Sequence, residues 1–561
     1  MPRYLSGSCL LLVGLTSVQA QTVPALEGEA YRLADAAYRG QMAGDLPGAL
    51  RSVAAALALA PGHPLLLSLQ FDLLYASGAL EEADAVLAEL QAREPANAGH
   101  RLRRIYLRQR QGRPAEALQE AARLASEAAV PTATRRQARL AQADLLQALG
   151  RPAEALTELE PLKADPALEV QSRRAFLLLA AGQPGPACAA FEGALGLGPE
   201  SGQRRNLLHG LCDAARGARR PDLELKALEE LRAQDPGDRR AALDLAYAYL
   251  ARHRDPEALD QFSAALDPQS PPGAWLDAGY AAKRLGRNAE AVRFFSGGID
   301  VRSTSGPQDP ELIFGLRREV ESLSRSWGLV TGTAYRQGWL TPGLVSQQKI
   351  LQEGLEAYWQ PDGLARNGRM VQVFVQTFES LYSIGEGTTG GPTVQGVIGL
   401  RAKPFESENL VLGVQRLVKL GRYSLSDWMF RAAYSRVEGL DLRPQQPDWA
   451  YWSLYTEGDT FAQTGHYIHQ LEVRGGHAWG LPAGGGQNVL APYVVLAGDY
   501  DNRQGQQTAA GLGLGTSLRH WFREDLHHAP ASWVELTVQA RARLTTATRG
   551  GGLFLTLTCW F

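Results

Sequence analysis

The sequence lacks features that would place it in several common classes. Its 57 lysines and arginines are matched by 59 aspartates and glutamates, which gives a formal net charge of −2. A general nucleic-acid-binding protein would carry a basic surplus, so nucleic acid is not a predicted partner. A run of 18 apolar residues is also absent, which excludes a transmembrane helix.

Cysteine is scarce as well, with four residues in 561. The first, Cys9, lies in a short apolar run, CLLLVGL (9–15), between the basic Arg3 and the small-residue motif VQA (18–20). This pattern predicts a secretory signal peptide over residues 1–20, cleaved after Ala20. The mature chain then keeps three widely spaced cysteines, which do not form a disulfide framework. A Cys188–Cys212 pair stays open, against free small apolar residues in helices.

Aromatic residues are rare in the first half of the chain and common in the second. Ten of the 11 tryptophans lie at or after Trp327, and Trp275 is the exception. The first half is rich in Ala, Leu, Arg and Glu, and the second in Gly, Thr and Val. The change of composition predicts two physically different parts.

What the first half does contain is a repeat. The string GRPAEAL occurs at 112–118 and again at 150–156, with GRNAEAV at 286–292. Its glycine recurs about every 34 residues, and a small residue follows it five positions later. His253 and a position near Arg219 stand in for the glycine in two copies. The glycines are Gly44, Gly78, Gly112, Gly150, Gly182 and Gly286, and the small residues are Ala49, Ala83, Ala117, Ala155, Ala187, Ala258 and Ala291.

This pattern resembles the tetratricopeptide repeat, a stack of helical hairpins. The best copy spans 275–295 and has Trp275, Gly279, Gly286, Ala291 and Phe295 at the motif's positions. The glycine permits the turn between two helices, and the alanine lets them pack closely. About eight repeats are predicted over 21–300, as an all-α superhelix that offers periplasmic proteins a binding surface.

A connecting helix or linker is predicted at 301–326. After it, the hydrophobic period changes from that of a helix to the two-residue period of a strand. In SWVELTVQARARL (532–544), Val534, Leu536 and Val538 share one face, and Glu535, Thr537 and Gln539 share the other. About twelve such strands are predicted, at 327–337, 349–361, 369–382, 393–404, 408–420, 427–437, 449–457, 466–479, 489–500, 508–522, 532–545 and 551–561.

Most of these strands have the roughly 9–11 residues that cross a membrane at a tilt. With the predicted signal peptide and an aromatic Phe561 like the insertion signal of outer-membrane proteins, they favour an antiparallel transmembrane β-barrel over 327–561. A soluble β-sandwich is the alternative, but it would use shorter strands. The predicted location is the outer membrane, with lipid around the barrel and the solenoid in the periplasm.

The C-terminal half resembles one family in detail. The segments 517–544, 552–558 and 328–338 are similar to the C-terminal domain of the bacteriophage adsorption protein A family. Helical repeats followed by such a domain also resemble the outer-membrane exporters of secreted polysaccharides. The resemblance implies an outer-membrane protein paired with an inner-membrane glycosyltransferase, a polysaccharide in the lumen, and a surface that phage use.

Residues typical of catalysis were not found in a convincing arrangement. GLGLG (511–515) lacks the spacing of a nucleotide-binding loop, and His527 and His528 lack a third metal ligand at zinc spacing. We therefore expect no enzyme, no cofactor and no metal. Two functions stay open: export or assembly of a polysaccharide, and a non-transporting receptor or anchor.

Overall fold

The computed structural model describes residues 25–304, 309–336, 349–361, 364, 368–385, 387–481 and 487–561. The chain divides into two compact units, residues 1–234 and 235–561. The predicted signal peptide and its cleavage site at Ala20 lie outside the described residues. The compact units divide elsewhere than the predicted change from solenoid to barrel, so the predicted domain limits stay predictions.

The first unit consists of twelve α-helices that pair into six hairpins. In each pair, the second helix begins two residues after a residue with left-handed backbone. The helices are α1 (Gly28–Met42), α2 (Leu46–Leu59), α3 (Pro64–Ser77), α4 (Leu80–Arg93), α5 (Ala98–Arg110), α6 (Pro114–Ser126), α7 (Thr132–Ala148), α8 (Pro152–Leu159), α9 (Leu168–Ala180), α10 (Pro184–Gly196), α11 (Ser201–Gly217) and α12 (Pro221–Gln234).

The second unit begins with two more hairpins and a single helix. These are α13 (Arg239–Leu250), α14 (Asp255–Ala265), α15 (Pro272–Arg284), α16 (Asn288–Thr304) and α17 (Pro310–Ser324). None of the described helices is long and apolar enough to cross a membrane.

The turn inside each hairpin depends on one residue with positive φ. Six of these residues are glycines, from Gly44 (φ +78°) to Gly286 (φ +70°), and such backbone is accessible to glycine without strain. Arg219 (φ +55°) and His253 (φ +56°) adopt the same conformation with a side chain. The turn geometry is therefore kept in all eight hairpins, although the glycine is not.

The hairpins pack through small residues on their second helices. The alanines five positions after the turn residue, including Ala117 and Ala155, are buried, and so are larger residues four positions later. The position after Arg219 that corresponds to these alanines is Glu224, whose carboxylate accepts a 2.8 Å hydrogen bond from Arg216. This hairpin uses Ala227 as its buried alanine instead.

Twelve antiparallel strands follow and close into a barrel, so the predicted fold class is confirmed and the sandwich alternative is wrong. Each strand pairs with its neighbours in sequence, and β1 pairs with β12. The strands are β1 (Trp327–Tyr335), β2 (Ile350–Trp359), β3 (Met370–Ser383), β4 (Gln395–Lys403), β5 (Asn409–Lys419), β6 (Asp427–Glu438), β7 (Asp448–Phe461), β8 (Tyr467–Leu481), β9 (Asn488–Asp501), β10 (Thr508–Phe522), β11 (Ser532–Arg543) and β12 (Gly552–Trp560).

The two faces of the barrel wall differ sharply in polarity. Outward positions carry exposed apolar side chains, such as Leu400, Leu514 and Leu536. Inward positions carry glutamines, arginines and carboxylates, such as Gln415 and Gln539, which are almost fully buried. An apolar outside around a polar inside is the arrangement of a membrane-spanning barrel.

Candidate functional site: the barrel lumen and its mouth

The barrel has two ends, which we call the proximal and distal mouths. The proximal mouth is where β1 begins at Trp327 and β12 ends at Trp560. Exposed aromatic residues lie on the outer wall near both mouths, for example Trp359 at the proximal and Trp428 at the distal one. Aromatic girdles of this kind mark the two membrane interfaces of outer-membrane barrels.

Charged side chains in the lumen form ion pairs with one another. Arg431 on β6 donates from Nε to Asp459 Oδ1 on β7 at 2.9 Å. Arg519 on β10 lies 2.7 Å from Glu535 Oε2 on β11. These pairs join neighbouring strands and neutralise charges that would be costly to leave alone behind a lipid-facing wall.

Two further pairs reach past a neighbouring strand. Arg401 on β4 lies 2.7 Å from Glu356 Oε1 on β2. Arg541 on β11 lies 2.6 Å from Glu472 Oε2 on β8, three strands away around the barrel. Glu472 also lies 2.6 Å from Arg474. A network of paired side chains therefore crosses the lumen.

A cavity of about 650 Å³ remains within this network. Its lining includes five arginines and five carboxylates, so the lining residues balance in formal charge. They are Arg336, Arg401, Arg431, Arg541, Arg549, Glu356, Glu457, Glu472, Asp499 and Asp501. From residue 327 onward the sequence has 19 basic and 19 acidic residues. These equal numbers do not indicate which charges pair in the lumen.

The proximal mouth is lined by an apolar cluster on β7, β8 and β9. It consists of Trp449, Tyr451, Ala478, Val489, Ala491, Tyr493, Val495 and Ala497, together with Leu442 from the connection between β6 and β7. Leu442 is 4% exposed. Leu442 is therefore buried in the barrel mouth. It belongs to residues 439–447, which we call the mouth segment and of which 441 and 443–447 are exposed.

Helix α17 lies against the same mouth. Phe314 packs on the apolar cluster. Arg317 donates to Glu524 Oε2 at 2.8 Å and to the His528 carbonyl at 2.8 Å, both in the turn between β10 and β11. The sequence predicted a connecting helix or linker here, but it did not predict these contacts, because no local sequence pattern indicates them.

His527 and His528 serve this turn. His527 Nε2 lies 2.8 Å from Asp300 Oδ1 in α16, and His528 Nδ1 lies 2.9 Å from Asp525 Oδ1. The hydrogen bond from His528 holds the pKa of Asp525 down at about 2. No group of three possible metal ligands occurs in the described part of the chain. Both histidines thus make hydrogen-bonding contacts that hold the turn.

The first helices of the hairpins carry a polar strip in the first unit. Asp72 on α3 lies 3.3 Å from Arg103 on α5, and Asp144 on α7 lies 3.0 Å from Arg173 on α9. Tyr106 is between them in sequence, and burial, helped by the Asp144 charge, raises its pKa to about 12. Burial also raises the pKa of Asp72. Such half-buried polar groups suit a protein-binding surface.

The residues named from the repeat pattern lie in packed positions. The six glycines form hairpin turns, and Ala49, Ala83, Ala187, Ala258 and Ala291 are buried. Gly279 and Phe295 meet in the last complete hairpin, where a Cβ on Gly279 would lie 2.5 Å from the Phe295 ring. Trp275 packs in the same hairpin against Phe294, with 6.2 Å between the ring centroids. Cys188 and Cys212 are both buried, and they form no disulfide with each other.

Residues 386–557 match the family described as bacteriophage N adsorption protein A, C-terminal domain. The prediction from segments 517–544 and 552–558 is thereby confirmed. An adsorption protein A domain that folds as a closed barrel with an apolar outer wall, after a tetratricopeptide-repeat scaffold, fits an outer-membrane protein. No curated protein matches the chain significantly.

The helical region is similar to solved tetratricopeptide-repeat structures. The type IV pilus biogenesis factor PilW aligns at 17% identity and a TM-score of 0.32, over 37% of this chain and 95% of PilW. PilF of Pseudomonas aeruginosa aligns at 16% identity and a TM-score of 0.32, over 40% of this chain and 97% of PilF. YrrB, described as having an unusual peptide-binding site, aligns at 21% identity and a TM-score of 0.26, over 30% of this chain and 86% of YrrB.

Proposed function

We propose that this protein exports or helps to assemble a secreted polysaccharide at the outer membrane. The helical repeats would lie in the periplasm and gather protein partners, among them an inner-membrane glycosyltransferase. The observation that carries the proposal is the polar lumen with its 650 Å³ cavity, enclosed by an apolar wall. Glutamine, arginine and carboxylate side chains can exchange hydrogen bonds with a hydroxylated chain as it passes.

The distal loops would be the part of the molecule that phage use for attachment. They join strands at the mouth opposite to Trp327, for example residues 420–426 and 462–466. The family's description as an adsorption protein supports this role. Replacing these loops should reduce phage adsorption to cells while the barrel still inserts.

We also propose that the chain is not an enzyme. The lumen carboxylates Glu457 and Asp459 both pair with Arg431. Both are thus tied into the ion pairs that join β6 and β7, which suits a structural role better than general acid catalysis. Unchanged polymer length after incubation with the purified protein would agree with this proposal.

Deletion of the gene tests export directly. Secreted polymer should disappear while intracellular synthesis, measured by incorporation of labelled sugar, continues. An unchanged amount of surface polymer would reject export.

The second candidate function is a receptor or anchor without transport. The side-chain network across the lumen, with Arg541 bound to Glu472, favours it. Purified protein in planar bilayers separates the two candidates. Ion conductance that rises when the lumen is widened supports a conduit, whereas a permanently closed lumen supports the anchor.

A further inference from the structure

The connection between β6 and β7 begins with a tight turn. Gly439 has φ +81°, and its carbonyl accepts a 2.6 Å hydrogen bond from Trp449 Nε1. The chain therefore reverses sharply after β6. Leu442 follows this reversal and is buried in the apolar cluster of the proximal mouth.

Leu442 anchors the mouth segment inside the wall. It is buried against inward side chains of three strands, including Tyr451, Ala478 and Tyr493. Arg519 Nη1, on the lumen side of β10, reaches the Leu440 carbonyl at 3.5 Å. This contact is apolar, whereas the lining of the lumen cavity includes five arginines and five carboxylates.

Helix α17 holds the mouth segment from outside. Arg318 Nη2 lies 3.0 Å from Asp441 Oδ2, and Phe314 packs on the cluster that receives Leu442. The helix is fixed in turn to the β10–β11 connection, where the Ala529 amide donates to the Arg317 carbonyl at 3.2 Å. One helix thus contacts both connections.

The same helix is joined to the last hairpin of the repeats. Lys283 on α15 lies 2.6 Å from Glu319 on α17. His527, in the β10–β11 connection, lies 2.8 Å from Asp300 on α16. A displacement of α15 or α16 would therefore reach the mouth segment through α17.

We propose that the mouth segment is a plug, that α17 is its latch, and that a protein bound to the last repeats releases it. This inference rests on the proposed conduit. The contacts that keep the mouth segment in place are weak enough to break. The Arg318–Asp441 pair is largely exposed to solvent and therefore weak, and a single leucine, Leu442, supplies the apolar anchor.

The test is ion conductance of the full chain in planar bilayers. Leu442→Asp places a charge in the apolar seat and should raise the conductance or the open probability severalfold over the unsubstituted protein. The matched control is Leu364→Asp, since Leu364 is an exposed leucine in another proximal connection. Conductance of Leu442→Asp equal to that of the unsubstituted protein, whether both are closed or both open, would overturn the plug.

The latch is tested by charge reversal, which also covers a folding failure of Leu442→Asp. Arg318→Glu should raise conductance less than Leu442→Asp does, and adding Asp441→Arg should restore the closed state. No change in Arg318→Glu would overturn the role of α17. Secreted polymer, measured separately in cells, distinguishes the two proposals: a plug that opens without any polymer export keeps the plug and rejects export.

Discussion

The helical repeats have an apolar interior, whereas the barrel has a polar one. In the first unit, alanine, leucine and phenylalanine fill the space between helices, and ion pairs lie at partly exposed positions such as Arg103 and Asp72. In the barrel, leucines face outward, and ion pairs such as Arg431–Asp459 fill the inside. The difference follows from the surroundings: water around one part favours an apolar inside, and lipid around the other requires an apolar outside.

The contrast also decides where each part is vulnerable. Repeats contact their sequence neighbours, so damage should stay local. A closed hydrogen-bond ladder must be complete before every backbone group is satisfied, so damage at its seam should affect the whole barrel. Substitutions at matched interior and seam positions test this comparison.

The largest effect is expected at the seam between β1 and β12. The Phe561 amide donates to the Leu329 carbonyl at 2.8 Å, and the Leu329 amide donates back at 3.3 Å. The Phe561 ring packs edge-on against Phe522 at 5.5 Å. Deleting Phe561 removes these contacts and the aromatic that resembles an insertion signal. We expect loss of outer-membrane protein, measured by heat-modifiable migration of membrane fractions.

Phe561→Tyr is the matched control for that deletion, because it keeps the ring and the backbone. It should insert normally. A normal yield of the deletion variant would contradict both the seam argument and the sorting role.

The next effect is expected from an unpaired charge in the lumen. Glu472→Gln removes a carboxylate that pairs with Arg541 and Arg474. Breaking a buried pair while one partner remains costs about 3–5 kcal/mol. The barrel should lose its heat-resistant form at a lower temperature. Glu438→Gln, at an exposed position of β6, is the control and should leave that temperature unchanged.

In the repeats, the corresponding change is a bulky residue between helices. Ala117 and Ala155 are fully buried. Ala117→Trp or Ala155→Trp should destabilise the local hairpin by about 1–3 kcal/mol, because extra volume enters a packed site. Protease sensitivity of the repeats should increase, whereas the heat-resistant form of the barrel should persist.

Ala115→Trp, on the exposed face of the same helix, is the control for Ala117→Trp. Loss of barrel insertion in the buried variants would mean that the two parts do not fold independently. Equal protease resistance in buried and exposed variants would contradict the packing argument.

Most of the architecture was readable from periodicity. All twelve predicted strands form, and most of their ends fall within two residues of the predicted ones. The prediction for β7 ended at 457, whereas the strand continues to Phe461. Asp459 lies in this extension and pairs with Arg431 on β6, a contact between strands that local sequence patterns do not reveal.

The position of the mouth segment could not be predicted from the sequence for a related reason. Its sequence, GLDLRPQQP, has the prolines and polar residues of an ordinary connection. Whether Leu442 enters the lumen depends on the apolar cluster that strands β7, β8 and β9 form together. The pairing of lumen charges depends on the same kind of long-range geometry.

The smallest effect concerns the two hairpin turns without glycine, which sharpen the comparison within the repeats. Arg219 and His253 have left-handed backbone, which costs a residue with a side chain about 1–2 kcal/mol. Arg219→Gly should therefore stabilise its hairpin slightly, since part of the gain is offset by the greater freedom of glycine in the unfolded chain. Thermal unfolding of the repeats measures the shift. Gly182→Arg is the reverse control: it introduces the same strain at Gly182 (φ +70°) and should lower the unfolding temperature. If Arg219→Gly also lowers that temperature, the arginine side chain stabilises the turn by more than its backbone strain costs.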